Sequence, residues 1–451
     1  MAERPVVAMF VRNTFKHDAR VTKEATALID HGADVVVFAA ALEPEETGES
    51  RQGPIRVVRF LLPTLIFKFV SFVASVIRQY ARGARLWKRL IRRVRLARQH
   101  VPREERLKMV LPPPRSVLAA NAAKQRMRTF LTPAHRFFQG LRYGRLAGDA
   151  AAAMKPIAYH CHDLNSILAG FRARRKHPAP VIYDAHELWP HRNRPDASRR
   201  KTWIIEKADE YFCRRCDGVI TVNESIARHM EKTYGLPEVV VVRNIPALAA
   251  RSEPPESARL SDVPHPRLVY VGGIQTHRGL EQLIDAMPLI KDASLFAVGP
   301  GLASYRATLE QRVRDRGMEE RIRFMDPVPL DSVVRTVAQG DLGMCLFQGG
   351  FLSYYWTLPN KFFEYIHAGV PVLASDFPET RRLVDRFDIG GVCDPGDVED
   401  IAAKVNDLLS RPDDLARMRD NTAKAAQDLN WELEREQLVS LYRRLVPGAL
   451  E

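Results

Sequence analysis

The stretch Thr357–Ala374, TLPNKFFEYIHAGVPVLA, predicts a short helix followed directly by a buried strand. Pro359 and Asn360 suit a helix start, because the first N–H groups of a helix have no partner within it. Gly369 suits the position just after the helix, and Pro371 prevents its continuation. The apolar residues that follow are typical of a strand buried in a parallel sheet. The stretch therefore predicts one helix–strand unit of an α/β protein.

Glu364 is the one acidic residue within this otherwise apolar predicted helix. A carboxylate among Phe362, Phe363 and Ile366 must find a partner or stay close to solvent. It is therefore a candidate for accepting hydrogen bonds from the hydroxyl groups of a ligand. The local pattern alone favours the plainer alternative, an acid on the exposed side of the helix.

The chain has 451 residues, of which 46% are hydrophobic, and this is too long for a single small hydrophobic core. Its length and composition therefore indicate two domains of ordinary size. Five cysteines are too few for a disulfide framework. Cys213 and Cys216 form a lone CxxC without a second ligand pair, which favours a helical pair over a metal site. The chain enters a predicted strand at Pro5–Val11, so we expect no secretory signal and a reducing, cytoplasmic compartment.

The basic charge is concentrated in residues 61–148. They contain 20 Lys and Arg and two acids, a net charge of +18, which leaves −4 for the rest of a chain whose total is +14. An apolar run over 61–77 precedes residues 78–99, in which apolar positions recur at helical spacing among arginines. This pattern is typical of a basic amphipathic helix lying in a membrane interface. The residues expected to face the membrane include an aromatic and three arginines: Trp87, Arg89, Arg92 and Arg93.

Two alternatives for this segment stay open, a membrane-spanning helix and a soluble basic helix. The apolar run is shorter than the ~20 residues that a span requires. Lys68 lies near its middle, where a charge is costly in lipid. Interfacial attachment to an anionic surface is therefore the favoured prediction.

The first half of the chain alternates strands and helices, which predicts a parallel sheet with ligands at the carboxyl ends of its strands. The polar loop that ends at Asp18 then faces a cleft, and Arg20 lies on the first turn of the following helix. An anionic substrate or an exposed basic face would both account for Arg20.

Two consecutive predicted strands end in polar side chains. The first ends in His160-Cys161-His162-Asp163, and the second contains Asp184, His186 and Glu187. Such clusters at adjacent strand ends favour a functional site over isolated structural histidines. Nothing in the spacing fixes a metal geometry, so we predict no metal site.

The domain boundary follows Asn244-Ile245-Pro246, because residues 247–266 are rich in Ala, Ser, Pro and Glu without periodicity. We predict an N-terminal domain over 1–246, with 61–148 as a membrane-associating insertion. A second domain covers 247–430, and 431–451 forms a helix that crosses back. The second domain opens with a strand and a loop that contains Gly272, Gly273 and Arg278, a combination suited to phosphate.

Several motifs occur together in a specific order: HDARVTKEATAL, YHCHDLNSILAG, YDAHEL, YVGGIQTHRGLEQLIDA and the stretch around Glu364. In this order they resemble the retaining GT-B glycosyltransferases of family four. The resemblance implies an α/β fold of two doubly wound, Rossmann-like parallel-sheet domains that face a central cleft. It covers most of the chain, and the segment 61–148 falls outside the shared pattern.

The resemblance also implies roles for individual residues. In the C-terminal, donor-binding domain, Arg278 would grip the diphosphate of a nucleotide sugar and Glu364 would hold its ribose. Gly272, Gly273, Lys361 and Asn360 complete the implied donor site. The chain departs from the family at Trp356, where a first glutamate is usual, and at Gly273, where many members place an arginine.

On the acceptor side, the resemblance implies that His162, beside Asp163, touches the transferred sugar. The remaining residues expected at this side of the cleft are charged or imidazole side chains: Asp18, Arg20, Asp184, His186 and Glu187. Family members of this kind need neither cofactor nor metal, because cations and helix N-termini stabilise the departing diphosphate.

The expected function is a membrane-attached glycosyltransferase on the cytoplasmic face of the cell membrane. It would move a sugar from a nucleotide donor to a lipid-linked or glycan acceptor, with retention, for a cell-surface polysaccharide or glycolipid. Two alternatives remain: a sugar-nucleotide epimerase or hydrolase of the same fold, and a non-enzymatic binder of anionic surfaces or nucleic acid through 61–148. The apolar run fits lipid better than nucleic acid, so we expect no nucleic-acid partner.

Overall fold

A computed structural model describes residues 4–16, 18–62, 135–194, 198–248, 253–260 and 263–450. The predicted membrane contacts Trp87, Arg89, Arg92 and Arg93 lie outside these ranges, as does most of the basic segment. Within the described ranges, no helix combines the length and the apolar character that crossing a bilayer requires.

The N-terminal half forms an eight-stranded sheet in the order β3-β4-β2-β1-β5-β6-β7-β8. All neighbours pair in parallel except β3, which runs antiparallel to β4. The sequence pattern had not indicated β3, whose residues are polar and mostly exposed. The eight strands are β1 Val6–Phe10, β2 Asp34–Ala41, β3 Gly48–Gln52, β4 Ile55–Leu61, β5 Ala158–His162, β6 Val181–Ala185, β7 Gly218–Thr221 and β8 Val240–Val241.

The C-terminal half forms a six-stranded sheet in the order β11-β10-β9-β12-β13-β14, in which every neighbouring pair is parallel. Its strands are β9 Arg267–Val271, β10 Ser294–Val298, β11 Ile322–Met325, β12 Leu342–Cys345, β13 Val372–Ser375 and β14 Gly390–Cys393. The prediction of an α/β fold with two doubly wound parallel sheets is therefore confirmed.

Helices cover both faces of each sheet. In the first half these are α1 Ala19–Asp30, α2 with a described part over 135–153, α3 Ile167–Lys176, α4 Arg199–Cys213 and α5 Glu224–Tyr234. The second half contains α6 Leu280–Ala286, α7 Ala303–Asp315, α8 Val333–Val337, α9 Leu352–Tyr355, α10 Asn360–Ala368, α11 Pro378–Phe387, α12 Val398–Leu409, α13 Pro412–Asp428 and α14 Trp431–Leu445.

The strand order of the first sheet reverses at β1, and this places its helices on opposite faces. Right-handed crossovers put α2 to α5 on one face and α1 on the other. The last helix, α14, returns to the N-terminal sheet, where Leu438 and Tyr442 are buried beside Val21 and Leu28 of α1. The predicted C-terminal helix thus crosses back over the first domain.

The end of the predicted insertion is part of the folded first domain. Tyr143 and Ala147 of α2 are fully buried in the core of the N-terminal sheet. The Tyr143 hydroxyl donates a hydrogen bond of 2.7 Å to the carbonyl oxygen of Phe38 in β2. Residues 135–148 therefore belong to the packed layer of helices rather than to a separate insertion.

Candidate active site

A cavity of about 740 Å³ lies between the two sheets, where loops at the carboxyl ends of strands meet. Residues that are far apart in the sequence line this cavity together. The first domain contributes Asp18, Arg20, His186 and Glu187, and the second contributes Gly272, Gly273, Arg278, Asn360, Lys361 and Glu364.

The wall from the first domain is built around a buried ion pair. Arg20 donates two hydrogen bonds to Asp184, from Nε at 2.8 Å and from Nη2 at 2.6 Å. Its remaining nitrogen, Nη1, donates to the carbonyl oxygen of Val242 at 2.6 Å. Both side chains are almost fully buried, so each charge depends on the other for compensation.

Two histidines share the same carboxylate. Asp184 Oδ2 lies 3.0 Å from His162 Nδ1 and 2.9 Å from His186 Nε2. Burial disfavours a charge on His186, but the carboxylates of Asp163 and Asp184 outweigh it and raise its pKa to about 9. His162 is only 2% exposed and lies behind His186, with 3.1 Å between their nitrogens. The imidazole that lines the cavity is therefore His186.

Asp163 supports this wall from the end of β5. Its carboxylate accepts a 3.2 Å hydrogen bond from the backbone N–H of His186. Its φ of +61° lies in the left-handed region, which is uncommon for a residue other than glycine and frequent at functional sites. Asp18 is the N-cap of α1, and it also accepts a 2.8 Å bond from Asn13.

In the described part of the chain, one group of side chains that could hold a metal ion lies beneath this wall. Glu24, His160, His162 and Asp184 bring ligand atoms within 4.8 Å of one another. Arg20 already supplies a positive charge 3.0 Å from Glu24 and 2.6 Å from Asp184. A divalent ion would have to displace or repel that guanidinium, so the cluster fits a charge-balanced network better than a metal centre.

The wall from the second domain contains two cations without an anionic partner in the described residues. Lys361 is 5% exposed, and its Nζ, which has no hydrogen-bond partner there, lies 3.3 Å above the ring of Tyr270. Burial lowers its pKa to about 7. The Arg278 guanidinium stacks 4.4 Å from the centre of the Phe347 ring, and its Nε also lacks a partner.

Two glycines shape the space around these cations. Gly279, at φ +80°, lies so close to β12 that a Cβ would overlap the carbonyl oxygen of Leu346. Gly272 has a φ of +114°, a backbone conformation that favours glycine, and a Cβ there would make only an ordinary 3.6 Å contact with Cε of Lys361. Glycine therefore allows the backbone turn at position 272 and the close approach at position 279.

Glu364 lines the same wall one helical turn after Lys361. Burial raises its pKa to about 7, although the nearby charges of Lys361 and Lys23 oppose the shift. Lys23 comes from α1 of the first domain and donates to Asn244 Oδ1 at 3.0 Å and to the Ile245 carbonyl at 2.7 Å. It therefore joins α1 to the linker between the domains and brings its charge near Glu364.

Trp356, where the resemblance led us to expect a glutamate, makes contacts with the first domain. Its ring lies 5.1 Å from the ring of His229 in α5, and it packs against the N-terminal core. Its carbonyl oxygen accepts a 2.7 Å hydrogen bond from Asn223. Trp356 thus serves as a contact between the domains.

Two family models match the chain. Residues 91–245 match the model described as Glycosyltransferase Family 4, and residues 265–411 match Glycosyl transferases group 1. The chain belongs to the GT-B glycosyltransferases. The first match starts at residue 91, so the prediction that all of 61–148 falls outside the family pattern is wrong for residues 91–148.

Two curated relatives resemble this glycosyltransferase at low sequence identity. Glycogen synthase of Mycobacterium tuberculosis is 22% identical over 307 residues, which cover 65% of this chain and 69% of the relative. A GDP-mannose-dependent alpha-(1-6)-phosphatidylinositol monomannoside mannosyltransferase of the same organism is 29% identical over 182 residues. That match covers 39% of this chain and 46% of the relative.

Solved structures share the whole fold of the enzyme. Sucrose-phosphate synthase from Thermosynechococcus elongatus aligns with a TM-score of 0.70 at 17% identity, over 98% of this chain and 99% of that one. HepE from Anabaena, in complex with UDP and glucose, aligns with a TM-score of 0.65 at 14% identity, over 98% and 100% of the two chains. At these identities the likeness concerns the fold alone.

Proposed function

We propose that the enzyme transfers a sugar from a nucleotide-sugar donor to a lipid-linked or glycan acceptor, with retention of anomeric configuration. We place this activity in the synthesis of a cell-surface polysaccharide or glycolipid. The observation that carries the proposal is the pair of cations, Arg278 and Lys361, that line the cavity without an anionic partner in the described residues. Lys361 is buried, and burying its charge is costly unless a partner compensates it.

A diphosphate fits these cations best. Arg278 can form two parallel hydrogen bonds to phosphate oxygens, and Lys361 supplies a compact charge beside them. The helix α10 begins at Asn360 on the same wall, and the N–H groups of a helix start favour anions. Glu364, one turn further, can accept hydrogen bonds from ribose hydroxyls. HepE bound to UDP and the mannosyltransferase named for GDP-mannose support a nucleotide-sugar donor.

The transfer step needs charge stabilisation more than acid–base groups. The bond from the anomeric carbon to the diphosphate oxygen breaks while a bond to the acceptor oxygen forms, through an oxocarbenium-like state. Arg278 and Lys361 stabilise the departing diphosphate, so the proposal requires no metal or other cofactor. In front-face transfer, the proton of the acceptor hydroxyl passes to an oxygen of the departing phosphate.

The opposite wall would position the sugar and the acceptor. His162 and Asp163, which the sequence had assigned to direct contact with the transferred sugar, would act on it indirectly in this proposal, through the network that orients His186. Asp18 and Glu187 provide acceptors for hydroxyl groups on the first-domain side of the cavity. We further propose a cytoplasmic enzyme attached peripherally to the inner face of the membrane.

Two variants test the site assignments. Glu364→Ala should weaken nucleotide-sugar binding about tenfold, as expected for losing hydrogen bonds to a charged group. His162→Ala should lower turnover with a smaller effect on binding. Wild-type activity in both variants would contradict the assignments.

The epimerase or hydrolase alternative is tested without an acceptor. Incubating the enzyme with UDP- and GDP-sugars alone should leave the donor essentially intact, and adding a membrane lipid extract should release the nucleoside diphosphate. Fast epimerisation or hydrolysis of the donor in the absence of acceptor would overturn the transferase proposal.

A further inference from the structure

Two helices of the first domain carry most of the exposed aromatic residues that the structure describes. Phe137, Phe138 and Leu141 of α2 are 61%, 62% and 45% exposed. Trp203 and Ile204 of α4 are 58% and 52% exposed. Large apolar side chains rarely cluster on a free surface of a soluble protein without a binding partner.

The exposed charges on α4 are all basic. Arg199, Arg200 and Lys201 lie one turn before the exposed Trp203 and have no acidic partner among the described residues. The three acids of the helix are paired: Glu206 lies 3.5 Å from His191, Asp209 accepts a 2.9 Å bond from Tyr183, and Glu210 pairs with Lys207 at 2.7 Å. The outward face of α4 therefore combines cations with a tryptophan and an isoleucine.

The helix α2 repeats this composition. Over residues 135–149 its exposed residues are three arginines and three large apolar side chains: Arg136, Arg142, Arg145, Phe137, Phe138 and Leu141. None of these arginines forms an ion pair with an acid in the described part of the chain. A second, independent helix thus presents the same chemistry as α4.

The two faces belong to one layer of the domain, separated by α3. Gly148 of α2 packs so tightly on α3 that a Cβ would come within 2.7 Å of the Ala169 carbonyl oxygen. On the other side of α3, the ring of its Phe171 lies 5.5 Å from the ring of Phe212 in α4. With 8–10 Å between packed helices, the two faces lie about 20 Å apart.

Both exposed patches lie towards the cavity end of the layer. Helices that connect parallel strands run opposite to them, so the first described turns of α2 and the first turns of α4 lie at the carboxyl edge of the sheet. Arg12, just after β1, donates a 2.8 Å hydrogen bond to the Arg136 carbonyl and holds this part of α2 at the same edge. A flat surface that touched both patches would therefore lie beside the mouth of the cavity.

We propose that α2 and α4 form a docking surface for an anionic lipid bilayer. Arginines attract anionic headgroups, and the aromatic and aliphatic side chains enter the interface between headgroups and acyl chains. Self-association through this face would oppose like charges, which disfavours a second copy as the partner. The acceptor reached from this position is one held in the bilayer, a point that rests on the proposed transferase activity.

Vesicle co-sedimentation of the full chain tests the surface. The probes are phosphatidylcholine vesicles with and without phosphatidylglycerol. The triple change Arg199→Gln, Arg200→Gln and Lys201→Gln should weaken binding to anionic vesicles about fivefold for each residue. The double change Trp203→Ser and Ile204→Ser should weaken it about tenfold or more.

A matched control uses exposed residues of the second domain. Leu302 is 74% exposed on the loop before α7, so Leu302→Ser should bind vesicles like the wild type. All variants should keep nucleotide-sugar binding in solution, which makes this test independent of the proposed activity. The proposal would be overturned if both α4 variants sedimented with vesicles like the wild type, or if the wild type bound both kinds of vesicle equally. The first of these outcomes would indicate that the exposed face of α4 binds a protein instead of a bilayer.

Discussion

The two walls of the cavity differ in how their charged side chains are paired. On the first-domain wall, Arg20 is neutralised by Asp184, which also holds His162 and His186. On the second-domain wall, Lys361 and Arg278 rest on aromatic rings and form no ion pair with an acid among the described residues, although the Glu364 carboxylate lies near Lys361. The first-domain wall therefore pairs its cation within the protein, whereas the second-domain wall leaves its cations without an ion pair.

This difference separates stability from binding. A buried cation whose partner is part of the protein contributes to the folded state, and removing the partner leaves an uncompensated charge. A buried cation whose partner is a ligand costs free energy in the free protein and contributes only when the ligand is bound. Substitutions in the first-domain wall should therefore lower the stability of the protein, whereas substitutions in the second-domain wall should lower its affinity for the ligand. The predictions below test this difference, from the largest expected effect to the smallest.

Asp184→Ala should destabilise the protein by about 3–5 kcal/mol, because Arg20 would lose the carboxylate that compensates it in a buried site. Urea unfolding measures this loss. Asp149→Asn is the control, since it breaks an exposed pair with Arg172 and should change the unfolding midpoint little. A loss no greater than that of the control would contradict a structural role for the first-domain wall.

Lys361→Met should leave the free energy of unfolding unchanged or slightly higher, because it replaces a buried charge that forms no ion pair with an uncharged side chain of similar length. The same change should weaken nucleoside diphosphate binding by about 1.5–3 kcal/mol, the usual contribution of hydrogen bonds to charged groups. Unfolding and calorimetric titration of one preparation give both values. Marked destabilisation with unchanged binding would reverse the assignment of this wall.

The pH dependence of donor binding should follow Lys361. Its pKa of about 7 means that it is charged below neutral pH and loses its charge as the pH rises. Because a diphosphate binds the charged form, affinity should fall above pH 7, by at most about tenfold for each pH unit.

Glu364 opposes this trend, since its pKa of about 7 makes it ionised, and a better acceptor for ribose, at higher pH. The cleanest measurement therefore uses the Glu364→Gln background. There, Lys361→Arg should flatten the profile, because an arginine stays charged throughout. Profiles of equal slope with lysine and arginine at this position would show that Lys361 does not control binding.

The fold and the second-domain wall could be predicted from the sequence because their signals are local. The glycine loop before Arg278 and the helix start before Glu364 each lie within a few residues, and parallel topology brings strand ends together. Arg278 and Glu364 both line the cavity, as the order of the motifs had indicated.

The first-domain wall could not be predicted in the same detail because it depends on contacts distant in sequence. Placing His162 behind His186 depends on a carboxylate 22 residues away, and Arg20 reaches that same carboxylate across 164 residues. The contact of Lys23 with the linker spans 221 residues and has no local signal. Trp356 stood out as a departure from the family, but only packing against α5 shows where its side chain goes.

The most direct measurement is calorimetric titration with uridine, UMP and UDP and with the corresponding guanosine series. For one of the two bases, the diphosphate should bind at least about a hundredfold more tightly than the nucleoside, and this gain should be lost in the Arg278→Ala, Lys361→Met double variant. Equal affinities for nucleoside and diphosphate, or a gain that persists in the double variant, would contradict the claim that the unpaired cations hold the diphosphate of the donor.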